Sequence, residues 1–90
     1  MATYLIGYDL TAKGEGAYEN LETAIKGMGA WWHHLDSTWI VISNLSAVEI
    51  RDKLTPHIKN NDQILVVKSG GEGAWSGFND SGSKWLQDHL

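Results

Sequence analysis

The chain of 90 residues has no cysteine, one proline and no long apolar run. Without cysteine it has no disulfide framework, no thiolate metal ligand and no thiol nucleophile. Its first residues lack the basic segment and long apolar stretch of a secretory signal. No apolar run approaches the roughly 20 residues that a membrane span requires. These absences predict a soluble, cytoplasmic protein that does not enter a membrane.

A basic stripe is also missing from the sequence. Lysine and arginine number 7 against 11 aspartate and glutamate residues, which gives a net charge of −4, and the cations are dispersed along the chain. Because duplex DNA is bound through clustered positive charge, we expect no duplex DNA partner. A nucleotide or a short single strand suits an acidic chain better, because few phosphates then need to be neutralised.

The length predicts a single domain spanning residues 1–90. A domain near this size buries little more than ~60% of the surface that its unfolded chain exposes, so its core is thin. Burial of further surface between two copies would compensate for the thin core. We therefore expect a homodimer.

The order of the predicted elements indicates the fold. Apolar and β-branched runs predict strands at residues 3–10 and 63–68, and a hairpin over residues 31–43 that turns at Asp36-Ser37. Helical spacing predicts a helix from Ala17 to Gly27, after a loop at residues 11–16, and a second helix after the capping-box sequence at Ser46. This order predicts an α+β, ferredoxin-like βαββαβ fold, in which a four-stranded antiparallel sheet carries both helices on one face.

The chain divides into a core and an extension. Residues 1–69 contain the six core elements, and residues 70–90 form a Gly/Trp-rich C-terminal extension with a short helix at 83–90. The first strand is apolar enough to be central, and the last to be central or well covered. We expect the aromatic residues of the extension, Trp75 among them, to cover an exposed sheet edge or to form the wall of a pocket.

The densest cluster of aromatic residues is the segment from Trp31 to Trp39. A turn at Asp36-Ser37 places Trp32 opposite Val41 and His34 opposite Trp39. Because side chains alternate along a strand, Trp32, His34 and Trp39 then share one face. The other set is more aliphatic and is assigned to the core. We therefore predict that these three side chains lie on the open face of the sheet, although a one-residue shift would change the partners.

An open face of this kind is suited to stacking. Any base can stack on an indole ring, and His34 can reach a phosphate. The candidate ligand-binding residues are Trp32, His34, Trp39, Asp9 and Trp75. The alternative is that the same face packs against a second copy and the tryptophans fill a dimer interface.

Asp9 is the second candidate for chemistry. A carboxylate at the end of an apolar central strand is costly unless it reaches solvent, a partner or a cation. Two copies could present facing Asp9 carboxylates to Mg²⁺. The alternative is a strand-terminal residue that caps the following loop. No cofactor is expected unless this hypothesis of an Mg²⁺ site is correct.

Two family resemblances follow from these residues. Tyr8-Asp9-Leu10, closing the first strand of a compact βαββαβ chain, resembles the CRISPR-associated ferredoxin-like nuclease subunit of spacer-acquisition complexes and the related virulence-associated protein D ribonucleases. That resemblance covers residues 1–69 and implies a homodimer, Asp9 as the metal-binding aspartate and phosphodiester cleavage. The segments 31–41, 46–54 and 75–78 resemble short bacterial and phage proteins of the SinR family, a likeness that spans nearly the whole chain and implies no activity.

Three functions remain open from the sequence. The favoured one is a small dimeric, non-enzymatic protein that holds a nucleotide-type ligand, or sequesters a nucleotide signal, on its Trp/His surface. The second is a metal-dependent ribonuclease or nuclease that uses paired Asp9 residues. The third is a structural interaction protein whose tryptophans lie in an interface.

Overall fold

A computed structural model describes residues 1–10, 17–59 and 61–90 of the chain. The predicted loop at residues 11–16 lies outside the described residues. In chain order the elements are β1 (Ala2–Asp9), α1 (Ala17–Lys26), β2 (Trp31–Leu35), β3 (Thr38–Ser43), α2 (Ala47–Leu54), a 3₁₀ turn (Thr55–His57), β4 (Gln63–Lys68) and α3 (Asp80–His89).

The strands form one antiparallel sheet in the order β2-β3-β1-β4. The order confirms the ferredoxin-like βαββαβ prediction, with α3 added at the C-terminal end. β1 is central, as expected, because it pairs with β3 on one side and β4 on the other. The prediction that the last strand is central or well covered is wrong. β4 is an edge strand, because the sheet ends there.

Local sequence signals account for the helix boundaries. At the start of α2 the Ser46 hydroxyl accepts a hydrogen bond from the Glu49 backbone N–H at 3.1 Å, and the Glu49 carboxylate accepts one from the Ser46 N–H at 2.9 Å, which is the expected capping box. The C-terminal helix begins at Asp80 rather than at residue 83. Asn79 caps it there, because its side-chain oxygen accepts a hydrogen bond from the Gly82 N–H at 2.8 Å.

The main core lies between the sheet and the helices α1 and α2, on what we call the helical face. Both helices contribute buried residues to it, which confirms that they share one face. Inside this core the Trp39 indole N–H donates a hydrogen bond to the Tyr8 hydroxyl at 3.0 Å, and that hydroxyl donates to the Glu22 carboxylate at 3.4 Å. The buried residues are Tyr4, Ile6, Tyr8, Leu10, Leu21, Ile25, Trp39, Val41, Ile50 and Leu54.

The hairpin differs from the sequence prediction in its register. Leu35 pairs with Thr38 across the Asp36-Ser37 turn, as predicted, but Trp31 rather than Trp32 pairs with Val41. A bulge between Trp32 and Leu35 adds one residue to β2, and a one-residue shift reverses which face each side chain occupies. The prediction that Trp32, His34 and Trp39 share an open face is therefore wrong.

Trp39 and Trp32 lie on opposite faces of the sheet. Trp39 is fully buried in the core of the helical face, at 0% exposure, where the His33 ring stacks on it at a centroid distance of 3.8 Å. Trp32 is buried on the opposite face, which we call the outer face, in a second cluster with Ile40 and Leu86. Both tryptophans are thus core residues of the single chain.

No helix in the described part of the chain is both long and apolar enough to cross a bilayer.

The first test of the fold concerns Gly29, just before β2. Its φ is +146°, and a Cβ there would press against the Ile42 carbonyl oxygen. We expect Gly29→Ala to lower the free energy of unfolding by about 1–3 kcal/mol, because both the backbone conformation and the close approach favour glycine. Urea denaturation followed by tryptophan fluorescence measures the change.

Gly70→Ala is the matched control, because a Cβ at Gly70 meets nothing within 4 Å. It should change the free energy of unfolding by less than about 0.5 kcal/mol. Equal effects of the two substitutions would contradict the close approach of Gly29 to β3.

Candidate functional site

The C-terminal extension covers one half of the outer face. Helix α3 lies over β2 and β3, and Leu86 is buried against Trp32 and Ile40. This second cluster is completed by partly buried aromatic and aliphatic side chains of the extension and of the chain end: Trp75, Phe78, Trp85 and Leu90. The extension thus covers a face of the sheet rather than one of its edges.

Trp32 holds the extension to the sheet. Its indole N–H donates a hydrogen bond to the Gly82 carbonyl oxygen at 3.1 Å. Phe78 meets its ring edge-on, with centroids 4.9 Å apart and planes at 85°, and the His34 ring lies 5.0 Å away. Because one hydrogen bond and an edge-to-face contact fix this indole, its orientation is set before any ligand arrives.

Two further contacts fix the position of α3. The Thr3 hydroxyl donates a hydrogen bond to the His89 carbonyl oxygen at 2.8 Å, which ties the end of the helix to β1. Gly82 is buried beside β2, and a Cβ there would lie 3.2 Å from the His34 ring. A residue without a side chain is what lets the helix lie this close to the strand.

The other half of the outer face is uncovered and apolar. Leu5, Val67 and Leu65 are exposed to 39%, 46% and 59% respectively. Leu5 lies directly between the buried Ile40 on β3 and the exposed Val67 on β4, so the apolar side chains continue from the covered half of the face to β4. A continuous patch of exposed leucine and valine is a candidate contact surface.

A groove lies between this uncovered half and the extension. Its volume is about 570 Å³. The sheet supplies the floor and the extension supplies the wall, and most of the lining is apolar. The residues that define it are Leu5, Ile40, Val67, Trp32, Trp75 and Phe78.

The polar residues that line the groove are located at the C-terminal end of β4. Lys68, Ser69 and Glu72 line it there. The Ser69 N–H donates to the Thr3 carbonyl oxygen at 2.8 Å, and the Ser69 hydroxyl accepts from the Gly71 N–H at 3.1 Å. These bonds fix the start of the extension beside the end of β4. The groove therefore has an apolar interior and a polar end with one cation and one carboxylate.

The structure brings some of the predicted site residues together and separates others. Trp32 and Trp75 both line the groove, and His34 adjoins Trp32 without lining it. Trp39 is on the opposite face. Asp9 is exposed at the far end of β1, where it pairs with Gln63, whereas the polar end of the groove adjoins Thr3.

Sequence reasoning missed Leu5, Val67 and Lys68 as groove residues. In the structure β4 alternates partly buried Ile64 and Val66 with exposed Leu65 and Val67. Because all four residues are apolar, the sequence does not show which of them are exposed. The alternation becomes evident only when one face of the strand is known to be uncovered.

A metal site was expected at Asp9 if two copies face each other. Among the described residues, no group of three or more His, Asp or Glu side chains is placed to hold a metal ion within one chain.

No protein-family model matches the chain, and no solved structure matches it significantly.

The two adjacent tryptophans of β2 test the assignment of the faces. Trp32 is 3% exposed and hydrogen-bonded to Gly82, whereas Trp31 is 43% exposed. We expect Trp32→Phe to lower the free energy of unfolding by about 2 kcal/mol, because it removes the indole hydrogen bond to the Gly82 carbonyl and leaves a small void beside Leu86. Trp31→Phe should cost less than about 0.5 kcal/mol.

Chemical denaturation monitored by circular dichroism makes this comparison without relying on the altered fluorophore. A larger loss in Trp31→Phe than in Trp32→Phe would show that the register of the hairpin is the one that the sequence alone suggested.

Proposed function

We propose that this protein is a non-catalytic binding protein that holds a nucleotide-type ligand in the groove. The observation that carries the proposal is the groove itself, about 570 Å³ in volume, apolar inside and polar at one end. Sites for small ligands are typically clefts of roughly 300–1,000 Å³ with mostly apolar walls and a few convergent polar groups. The groove fits that description in size and in chemistry.

The apolar interior suits a flat heteroaromatic group. Leu5 and Val67 offer an aliphatic surface on the sheet, and Trp75 offers an indole ring on the extension. Stacking of a base on an aromatic side chain contributes roughly 1–3 kcal/mol, whatever the base. Trp32 and Phe78 close the inner end of the groove in fixed positions, so little ordering is required on binding.

The polar end suits a small number of phosphates. Lys68 lines this end from the last position of β4 and is the cation that would contact a phosphate, and Glu72 offers an acceptor for a ribose hydroxyl or an amino group. One cation beside one carboxylate cannot neutralise a long polyanion. The chemistry therefore favours a mononucleotide, or a similarly small nucleotide, over a nucleic acid strand.

The charged groups argue for binding rather than catalysis. The charged side chains that line the groove are Lys68 and Glu72, and no histidine is among the described residues that line it. Asp9, the residue expected to hold Mg²⁺ in a nuclease, lies at the other end of β1. A ligand in the groove would therefore be held away from that carboxylate.

Calorimetric titration with a panel of mono-, di- and cyclic nucleotides tests the proposal. We expect Trp75→Ala to weaken the tightest ligand by about tenfold or more, because it removes the stacking surface. Trp31→Ala is the control: it removes an exposed tryptophan from the opposite face and should leave the affinity unchanged. No heat with any nucleotide, or equal affinities in the two variants, would contradict the proposal.

A second pair of variants tests the orientation of the ligand. Lys68→Gln should weaken a nucleotide by about tenfold and leave the matching nucleoside unchanged, because only the nucleotide carries the phosphate that the ammonium group would contact. Lys53→Gln, an exposed lysine of α2 outside the groove, should change neither affinity. Equal losses for nucleotide and nucleoside would place the phosphate elsewhere.

The non-catalytic part of the proposal has its own test. Purified protein incubated with RNA and Mg²⁺ should leave the RNA intact. Cleavage that disappears in Asp9→Asn would contradict the proposal and support the nuclease alternative.

A further inference from the structure

The outer edge of β4 is a second candidate contact surface in the described part of the chain. Among the described residues, β4 pairs on one side only, with β1, over an unbroken register from Gln63 to Lys68. The opposite edge of the sheet, β2, is interrupted by a bulge between Trp32 and Leu35. Bulges, prolines and charged side chains are the usual means of protecting an edge from pairing. β4 has no bulge or proline, and Lys68, at its end, is its one charged residue.

A hydrogen bond between Ser69 and Thr3 shows which backbone groups of β4 face outward. The Ser69 N–H donates to the Thr3 carbonyl, and directly bonded pairs alternate along an antiparallel ladder. The residues of β4 with odd numbers therefore direct their backbone groups toward β1. The N–H and C=O groups of Ile64, Val66 and Lys68 point away from the sheet.

We propose that two copies of this chain pair antiparallel through β4, about a two-fold axis at Val66. In this register Val66 lies opposite Val66 of the second copy, and Ile64 lies opposite its Lys68. The three residue pairs are those with outward backbone groups, so each pair exchanges N–H···O bonds in both directions. Two four-stranded sheets become one sheet of eight strands.

The side chains fit the same register. Leu65 lies opposite Val67 of the second copy, and Val67 opposite its Leu65, so the exposed apolar residues of β4 pair across the new junction. These are the pairs that lack direct hydrogen bonds, whose side chains approach most closely in an antiparallel sheet. A register centred on Leu65 would place Val67 opposite Gln63 of the second copy, and one centred on Val67 would place Leu65 opposite its Ser69. The register at Val66 is therefore the one that pairs the exposed apolar side chains of the two strands with one another.

Charge does not oppose this pairing. Lys68 of one copy and Lys68 of the other lie at opposite ends of the paired strands. Asp62, which directly precedes β4, falls on the diagonal from Lys68 of the second copy and on the same side of the sheet. Each end of the strand pair therefore brings together charges of opposite sign.

The pairing does not depend on the proposed ligand, because backbone groups of the edge carry it. It does affect the groove. Val67 is part of the groove floor, so Leu65 of the second copy would extend that floor beyond the edge of the sheet. Two grooves would then lie on the same outer face of the dimer, related by the two-fold axis.

Light scattering across a range of protein concentrations tests the dimer. We expect a mass of twice the 10.0 kDa chain for the wild type. Val67→Lys should halve this mass, because two lysines would replace the apolar pairs. Leu35→Lys is the control: Leu35 is 47% exposed on β2, at the opposite edge of the sheet, and its variant should stay dimeric.

Val66→Pro gives an independent measure, because its missing N–H faces outward and is not needed within the single sheet. This variant should also halve the mass. If circular dichroism shows that it does not fold, the Val67→Lys result alone tests the dimer. A wild-type monomer at all concentrations, which would leave the edge for a different partner, would overturn the proposal. A dimer that persists in folded Val67→Lys protein would overturn it as well.

Disulfide cross-linking tests the register, since the natural chain has no cysteine. Val66→Cys places its sulfurs across the two-fold axis, where the Cα separation of a bonded pair is about 5.5 Å and a disulfide can form. Leu65→Cys is the control, because its two copies lie on a diagonal of about 7–8 Å. We expect covalent dimer on mild oxidation of the first variant only. Stronger cross-linking of Leu65→Cys would overturn this register.

Discussion

The structure depends on one constraint, which is that β3 is apolar on both of its faces. Trp39 and Val41 are fully buried toward the helices, and Ile40 between them is buried toward the opposite side. A sheet of this topology ordinarily carries helices on one face only. Because a bare Ile40 and Trp32 would be costly in water, the outer face of β2 and β3 needs a cover as well. The C-terminal extension provides it.

The groove is a consequence of how far that cover extends. α3 is fixed by the bond from Trp32 to Gly82 and by the bond from Thr3 to His89, so it lies over β2 and β3 and reaches β1 only at its end. The outer side of β4 and the middle of β1 stay uncovered. Leu5 and Val67 are exposed for this reason. The groove lies along the boundary between the covered and the uncovered part of the sheet.

The sequence predicted the fold well because each core element carries its own local signal. The capping box at Ser46 and the turn at Asp36-Ser37 lie where they were expected. The faces of the hairpin were not predictable, because alternation identifies a buried face only when the other face is polar. Along β3 both faces are buried. The bulge in β2 is not marked by any sequence pattern. Of the candidate site, Trp32 and Trp75 were found, whereas the aliphatic floor was not.

β4 shows why an apolar run is ambiguous in a chain this small. Its sequence suits a central strand, yet it stands at the edge with half its apolar side chains in water. Exposure of these side chains and of the unpaired backbone groups costs free energy in a single copy. The proposed ligand and the proposed second copy would each cover a different part of this surface. A ligand would cover the outer face of Val67, whereas a second copy would satisfy the outward backbone groups of Val66. The face of a strand and its edge are perpendicular, so the two partners do not compete. In the proposed dimer they meet at the contact between Val67 and Leu65 of the second copy, where a bound ligand would touch both chains and therefore stabilise their association.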